Sequence, residues 1–217
     1  MTDTLFMQEP FEMLAHLRDG MTGVIGSFSS RIDPPSVLLD ALANSQLKDL
    51  TFVVLAISND EDPLGTMAKN GMLRKIITGF NNSNKYIEIL RKKGEIEVEF
   101  VPYGPLVERI RLAAGGIPSF CSPVGVGTVY ERGREIRTLE GRRYIVEPTI
   151  RPDFALIRGW QADRRGNIRY WPSATHLNSY AAAASKLAFA QVDEVVESMD
   201  AENVGTSFVY LNGIVKA

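Results

Sequence analysis

Leu50 to Ile57 (Leu-Thr-Phe-Val-Val-Leu-Ala-Ile) is almost wholly apolar over eight positions, the pattern of a strand covered on both faces of a parallel sheet. Met21 to Ile25, Lys75 to Thr78, Tyr144 to Glu147, Phe154 to Arg158 and Phe189 to Asp193 read as further strands. Glu95 to Val101 alternates charged and apolar residues, the period of a half-buried strand. Between these runs, apolar residues recur at helical spacing. Pro10 to Arg18 predicts a short helix with Phe11, Leu14 and Leu17 on one face, closed by Asp19-Gly20. Pro34 to Gln46 predicts another, with Asp33 as cap and Pro34 at the first helical position. Leu64 to Asn70, Lys85 to Lys93, Pro105 to Leu112 and Leu177 to Ala188 complete the helices. Helices alternating with buried strands predict an α/β fold: an open, mostly parallel sheet flanked by helices with right-handed crossovers. Residues 128–146, with turns at Arg132-Gly133 and Glu140-Gly141, predict an antiparallel excursion from it. No linker separates domains, so residues 1–217 are expected to form one.

One segment fits neither period. Residues 115–128 (GGIPSFCSPVGVGT) carry four glycines and two prolines in fourteen positions. They are too apolar for a solvated linker and too rich in Gly and Pro for a helix or a plain strand. Holding such backbone costs conformational entropy that many contacts must offset. Two readings stay open: a buried turn beside a ligand, or a tight connection between two core elements.

Composition narrows the function classes. At 217 residues, 45% hydrophobic and 23% charged, the chain has an ordinary globular make-up. A formal charge of −2 argues against a nucleic-acid binder, which would show a basic face. One cysteine excludes an internal disulfide and a multi-cysteine metal site, and Cys121 is expected as a packed thiol. No run is long enough to span a membrane, and Met1 to Leu5 lacks the basic start of a secretory signal. A cytoplasmic protein without metal, nucleic-acid or membrane partners is the expectation.

Candidate chemistry collects where strands end. The stretch 26–34 follows a strand and opens a helix, the position where α/β sheets usually bind ligands, although on the residues alone a capped helix start is the simpler account. Ser58-Asn59 follows the apolar strand; its amide could bond a thioester carbonyl or a carboxylate, or simply make an Asx turn. Asp60-Glu61-Asp62 reads as a solvated turn, and Glu108-Arg109 as a structural ion pair. Two histidines, His16 and His176, are too few and too scattered for a triad.

The run from Val101 to Thr128 (VPYGPLVERIRLAAGGIPSFCSPVGVGT) resembles the alpha-subunit signature of family I coenzyme A transferases. Asp153 to Ile157 and Ala162 to Ile168 extend the resemblance over most of the chain. That family's fold is related to the sugar-phosphate isomerases. The resemblance implies that Gly26, Ser27 and Phe28, in place of a Gly-Gly-Phe, lie against the acyl end of a bound thioester. Arg31 and Ile32 stand close by, Ile32 where the family has glycine. By the same comparison Ser58 and Asn59 border the active site. Asn84 matches an asparagine of a Gly-x-Asn loop, with Asn82 replacing its glycine. Gly125 and Gly127 match a Gly-x-Gly-Thr that shapes the pocket wall.

In that family a glutamate attacks the donor thioester and becomes a glutamyl-coenzyme A intermediate, resolved by the acceptor carboxylate. The glutamate belongs to a Ser-Glu-Asn-Gly motif of the beta subunit, and this sequence contains no such motif. The resemblance therefore implies half an enzyme, with no catalytic residue of its own. Its expected partners are acyl-coenzyme A, carboxylic acids and a beta subunit, in an α2β2 complex. Because Ser27, Arg31 and Ile32 depart from the family pattern, one half of a related hydrolase that cleaves a carbon–carbon bond of a thioester stands as the alternative.

Overall fold

The structure, a computed structural model, describes residues 5–29, 33–58, 61–81 and 84–217. The amino-terminal half alternates strand and helix: β1 (Thr22–Ile25), α1 (Ser36–Ala43), β2 (Leu50–Ile57), α2 (Pro63–Lys69), β3 (Leu73–Asn81), α3 (Lys85–Lys93), β4 (Glu97–Phe100) and α4 (Tyr103–Ala114). Three strands without helices follow, β5 (Ser119–Ser122), β6 (Ile136–Leu139) and β7 (Arg142–Pro148), and then β8 (Phe154–Arg158). The remainder is β9 (Gln161–Asp163), β10 (Ile168–Arg169), α5 (Asn178–Ala184), β11 (Leu187–Val192), β12 (Glu194–Val196) and β13 (Gly213–Lys216).

Seven strands build the main sheet in the order β13-β11-β8-β1-β2-β3-β4, and each pairing in it is parallel. All eight residues of β2 are buried, and its pleat explains the unbroken apolar run. Leu50, Phe52 and Val54 enter the core under α1, α2 and α3 with Leu38, Leu64 and Ile87. Val53 and Leu55 enter the opposite core with Leu106 of α4 and Ala181 of α5. Burying each such side chain contributes ~1.5–3 kcal/mol. The predicted antiparallel excursion is a separate sheet, β5-β7-β6, whose hairpin closes at Glu140-Gly141 between the paired Leu139 and Arg142. Strands β10-β9-β12 form a third, which the sequence pattern did not indicate because its members are two or three residues long.

Several boundaries differ from the sequence expectation for local reasons. Helix α1 starts at Ser36 rather than Pro34, with no side-chain cap; Asp33 adopts φ 53° and turns to Arg158 instead. The first helix is a 3-10 turn over Pro10–His16 that buries Met13 and leaves Phe11 exposed, because a threefold period presents a different face. Helix α4 begins two residues before Pro105, at Tyr103, so the Pro102-Tyr103-Gly104 break is its first turn. Helix α5 ends at Ala184, and Leu187 already belongs to β11. Within 115–128, Ser119–Ser122 is a plain strand paired with β7, and most of the segment is solvent-exposed, which corrects the reading of it as buried.

Candidate active site

Strand β1 lies between β8 and β2, and the chain winds outward from it in both directions. The carboxyl ends of β1 and β8 thus flank a topological switch point, the usual place for a ligand crevice in such sheets. The sequence candidates Gly26, Ser27 and Phe28 leave β1 there, Ser58 leaves β2, and Asn84 follows β3. The structure brings these loops side by side: the amide of Gly26 donates to Leu156 O at 2.9 Å, and Ser29 bridges to Ala56 as a parallel partner. Arg31, Ile32, Asn59 and Asn82 lie outside the described residues.

Gly26 is required here by close packing. A Cβ at this position would stand 2.3 Å from Asn178 Oδ1 and 2.8 Å from Asn178 Cα, so the turn after β1 and the start of α5 fit together only without a side chain. Asn178 is buried, accepts from the Arg158 amide at 3.1 Å and donates to Ala174 O at 3.1 Å, locking β8 to α5. It was not among the site candidates read from the sequence. The signal was there: an asparagine at a helix start after a glycine-bearing strand end.

Ser27 is fully buried, and its hydroxyl donates to Ser29 O at 2.7 Å. Its backbone stays outside the left-handed region, so the loop carries serine there without strain. Phe28 turns outward, 37% exposed, stacked on Tyr103 with ring centroids 6.2 Å apart and tilted against His176 at 5.9 Å. Tyr103 in turn occupies the space beside Gly79, where a Cβ would meet its ring at 2.8 Å. Burial pushes the Tyr103 phenol up. The aromatic group Phe28, Tyr103 and His176 draws from three separate segments, and only Phe28 stood out in the sequence as a site residue.

Two of the polar candidates, Ser58 and Asn84, take part in local anchoring contacts. Asn84 is buried and caps α3, accepting from the Ile87 amide at 3.0 Å. The Ser58 amide donates to Asp62 Oδ2 at 2.9 Å, while Asp62 Oδ1 accepts from the Leu64 amide at 2.9 Å and caps α2. Asp62 is wholly buried, not part of a solvated turn, because it closes the loop after β2.

Gly125 and Gly127 lie in the connection between β5 and β6, with φ of 87° and 79°. A Cβ on Gly125 would meet the Tyr130 ring at 2.5 Å, so the turn is seated on that ring. Tyr130 donates to Glu147 Oε1 at 2.9 Å. Arg109 Nη2 reaches Glu147 at 2.6 Å, and its Nη1 reaches Glu99 at 3.0 Å. Glu108 pairs instead with Arg111 at 2.7 Å, so the expected Glu108–Arg109 pair is replaced by three others. The helix turns Arg109 into the core beside Ile110 and leaves Glu108 on its outer face. Burial acts to raise the Glu99 carboxyl, but the hydrogen bond from Lys75 and the Arg109 charge outweigh it and hold the pKa at about 2. Arg134 completes the cluster, 3.2 Å from Glu99 and 4.0 Å above the Tyr130 ring.

Chemically, the crevice offers an aromatic wall, with neighbouring carboxylates already engaged: Asp62 by two amides, and Asp33 with Arg158 at 3.8 Å. Among the described residues no group of three or more His, Cys, Asp or Glu could hold a metal ion, and no helix is long and apolar enough to cross a membrane.

Comparison with known proteins adds independent findings. The family described as "Coenzyme A transferase" matches residues 8–217. The A-type half of the 3-oxoadipate CoA-transferase of Pseudomonas putida is 37% identical over 203 residues, covering 92% of this chain and 87% of that protein. The alpha half of the acetate CoA-transferase of Escherichia coli K12 is 37% identical over 181 residues, with 83% and 82% covered. In fold, an acyl-CoA transferase apoenzyme of Escherichia coli O157:H7 superposes with a TM-score of 0.90 at 17% identity; all of this chain corresponds to 48% of that one.

Proposed function

This chain belongs to the coenzyme A transferase family and is a CoA-transferase subunit of the alpha type, and from that premise we propose how it works. It moves coenzyme A between carboxylic acids as one half of a heteromeric, α2β2, cytoplasmic enzyme. A beta subunit with a Ser-Glu-Asn-Gly motif supplies the glutamate that attacks the donor thioester. That attack expels coenzyme A thiolate and forms an acyl-glutamyl anhydride. The thiolate then attacks the glutamyl carbonyl, which releases the donor carboxylate and leaves a glutamyl-coenzyme A thioester. The acceptor carboxylate then reverses the exchange. The chain works as a single domain that forms one wall of the cleft. Phe28 lies against the acyl end, and the turn of Gly26 and Ser27, with Ser58 beside it, borders the thioester, its Gly26 and Ser58 amides already engaged by Leu156 O and Asp62. Asn84 shapes the loop after β3, and Gly125 and Gly127 the far wall. Arg31 and Asn59 belong to the same proposed set.

The observation that carries this reading is how the carboxylates beside the switch point are used. Asp62 is a buried helix cap and Asp33 faces Arg158, so neither is presented as a nucleophile. Ser27, one of the departures that raised the hydrolase alternative, folds its hydroxyl onto Ser29 O and brings no new group to the surface. The test is reconstitution with the product of a neighbouring reading frame bearing the glutamate motif. Transfer between short carboxylic acids should require both chains, and borohydride or hydroxylamine should trap a glutamyl thioester on the partner. Turnover by this chain alone, or free acid formed without any acceptor, would refute it.

A further inference from the structure

Three rings meet where β1 ends, and each is held from a different direction. Phe28 stands between Tyr103 and His176, whose ring centroids lie 6.2 and 5.9 Å from its own, distances at which aromatic pairs attract. Tyr103 opens α4, and its ring edge fits only because residue 79 is glycine, where a Cβ would meet it at 2.8 Å. His176 belongs to the loop before α5. Its φ of 39° lies in the left-handed region that few non-glycine residues enter. The next residue ties that loop to the turn after β1, the Leu177 amide donating to Gly26 O at 2.9 Å. Backbone geometry thus fixes the group on both flanks.

Ring surface nevertheless stays in water. Phe28 is 37% and Tyr103 40% exposed, and His176 is half-buried. A braced aromatic wall at the carboxyl end of a parallel sheet suits a ligand with apolar surface of its own. A methylene gained in such a pocket is worth roughly tenfold in discrimination. A charged chain end laid against the rings would lose hydration without compensation.

We propose that Tyr103 and His176 are specificity-determining residues: by holding Phe28 between them they favour thioesters whose acyl group is an apolar chain longer than acetyl. This rests on the reading of the chain as one half of a CoA transferase in which Phe28 lies against the acyl end.

In the reconstituted complex the readout is kcat/KM for butanoyl-coenzyme A relative to acetyl-coenzyme A, because a merely structural defect lowers both alike. The wild-type ratio should be about tenfold or more. Tyr103→Leu and His176→Asn should each bring it close to unity, chiefly by raising KM for the butanoyl thioester. Asparagine enters the left-handed region readily, so His176→Asn removes the ring without straining the loop. Tyr103→Phe keeps the ring and should restore the ratio. Titration with the unreactive thioethers S-butyl- and S-ethyl-coenzyme A reads the same selectivity without turnover. If that ratio falls in Tyr103→Leu and His176→Asn while no transfer is ever detected, the wall stands and the transferase reading fails. If transfer occurs but the ratio is the same in wild type and both variants, the proposal is overturned and the transferase reading survives. A wild-type preference for succinyl- over butanoyl-coenzyme A, chains of equal length, also overturns it. So does weakened assembly with unchanged selectivity, because the partner would then be what covers the rings.

Discussion

The carboxyl end of the parallel sheet and the junction of the antiparallel sheet are both polar, yet they are held by different forces. At the first, side chains satisfy backbone groups a few residues away: Ser27 on Ser29, Asn84 on Ile87, Asp62 on Ser58 and Leu64. At the second, charged groups distant in sequence meet: Arg109 joins Glu147 across 38 residues, and Arg134 joins Glu99 across 35. Local caps set the shape of a loop and leave its remaining amides to a ligand. Long-range ion pairs fix one sheet against another. With Arg109 and Glu147 both nearly inaccessible, their pairing removes a desolvation cost more than it adds net stability.

The contrast breaks most decisively at the ion cluster. Glu147→Ala would leave the buried Arg109 guanidinium with only the partly exposed Glu99, at a cost of ~3–5 kcal/mol. A large fall in the thermal midpoint is expected, with loosening concentrated in residues 119–148 by hydrogen exchange. Uniform loosening across the parallel sheet would show that the two regions are not held independently. At the other region, Gly26→Ala should cost ~1–3 kcal/mol through overpacking against Asn178. Its larger signature is loss of transferase activity in the reconstituted complex, because the turn after β1 must shift. Full activity would mean that the close approach of Gly26 to α5 is not needed for the cleft.

The smallest effect is on pH. The folded-state pKa of Glu99 is about 2, below the ordinary carboxyl value of 4.5, so its pairing contributes stability fully above about pH 4.5. That contribution declines as pH falls from 4.5 towards 2. Acid titration should therefore loosen the antiparallel sheet first, and Glu99→Gln should remove that part of the pH dependence. A titration curve identical in wild type and E99Q would assign the acid sensitivity elsewhere.

Fold class, the strand β2, the helix α3 and the hairpin turn at Glu140-Gly141 were legible in the chain because each depends on neighbours within one element. The aromatic group of Phe28, Tyr103 and His176 was not: it assembles from the ends of β1, α4 and the loop before α5, and no local period links them. The partners of Arg109 were hidden for the same reason. Its sequence neighbour Glu108 is a ready partner, but the helix points the two side chains apart, and burial gives Arg109 stronger partners in Glu147 and Glu99.

Hydrophobic periodicity alone determined that this is an α/β chain, since it reports what each short stretch must bury, and the residues of 101–128 carried the likeness to coenzyme A transferase alpha subunits. Only the tertiary structure decided which polar residues are caps and which carboxylates are already engaged. A charge chooses its partner by distance and desolvation, and neither quantity exists until the sheets have met.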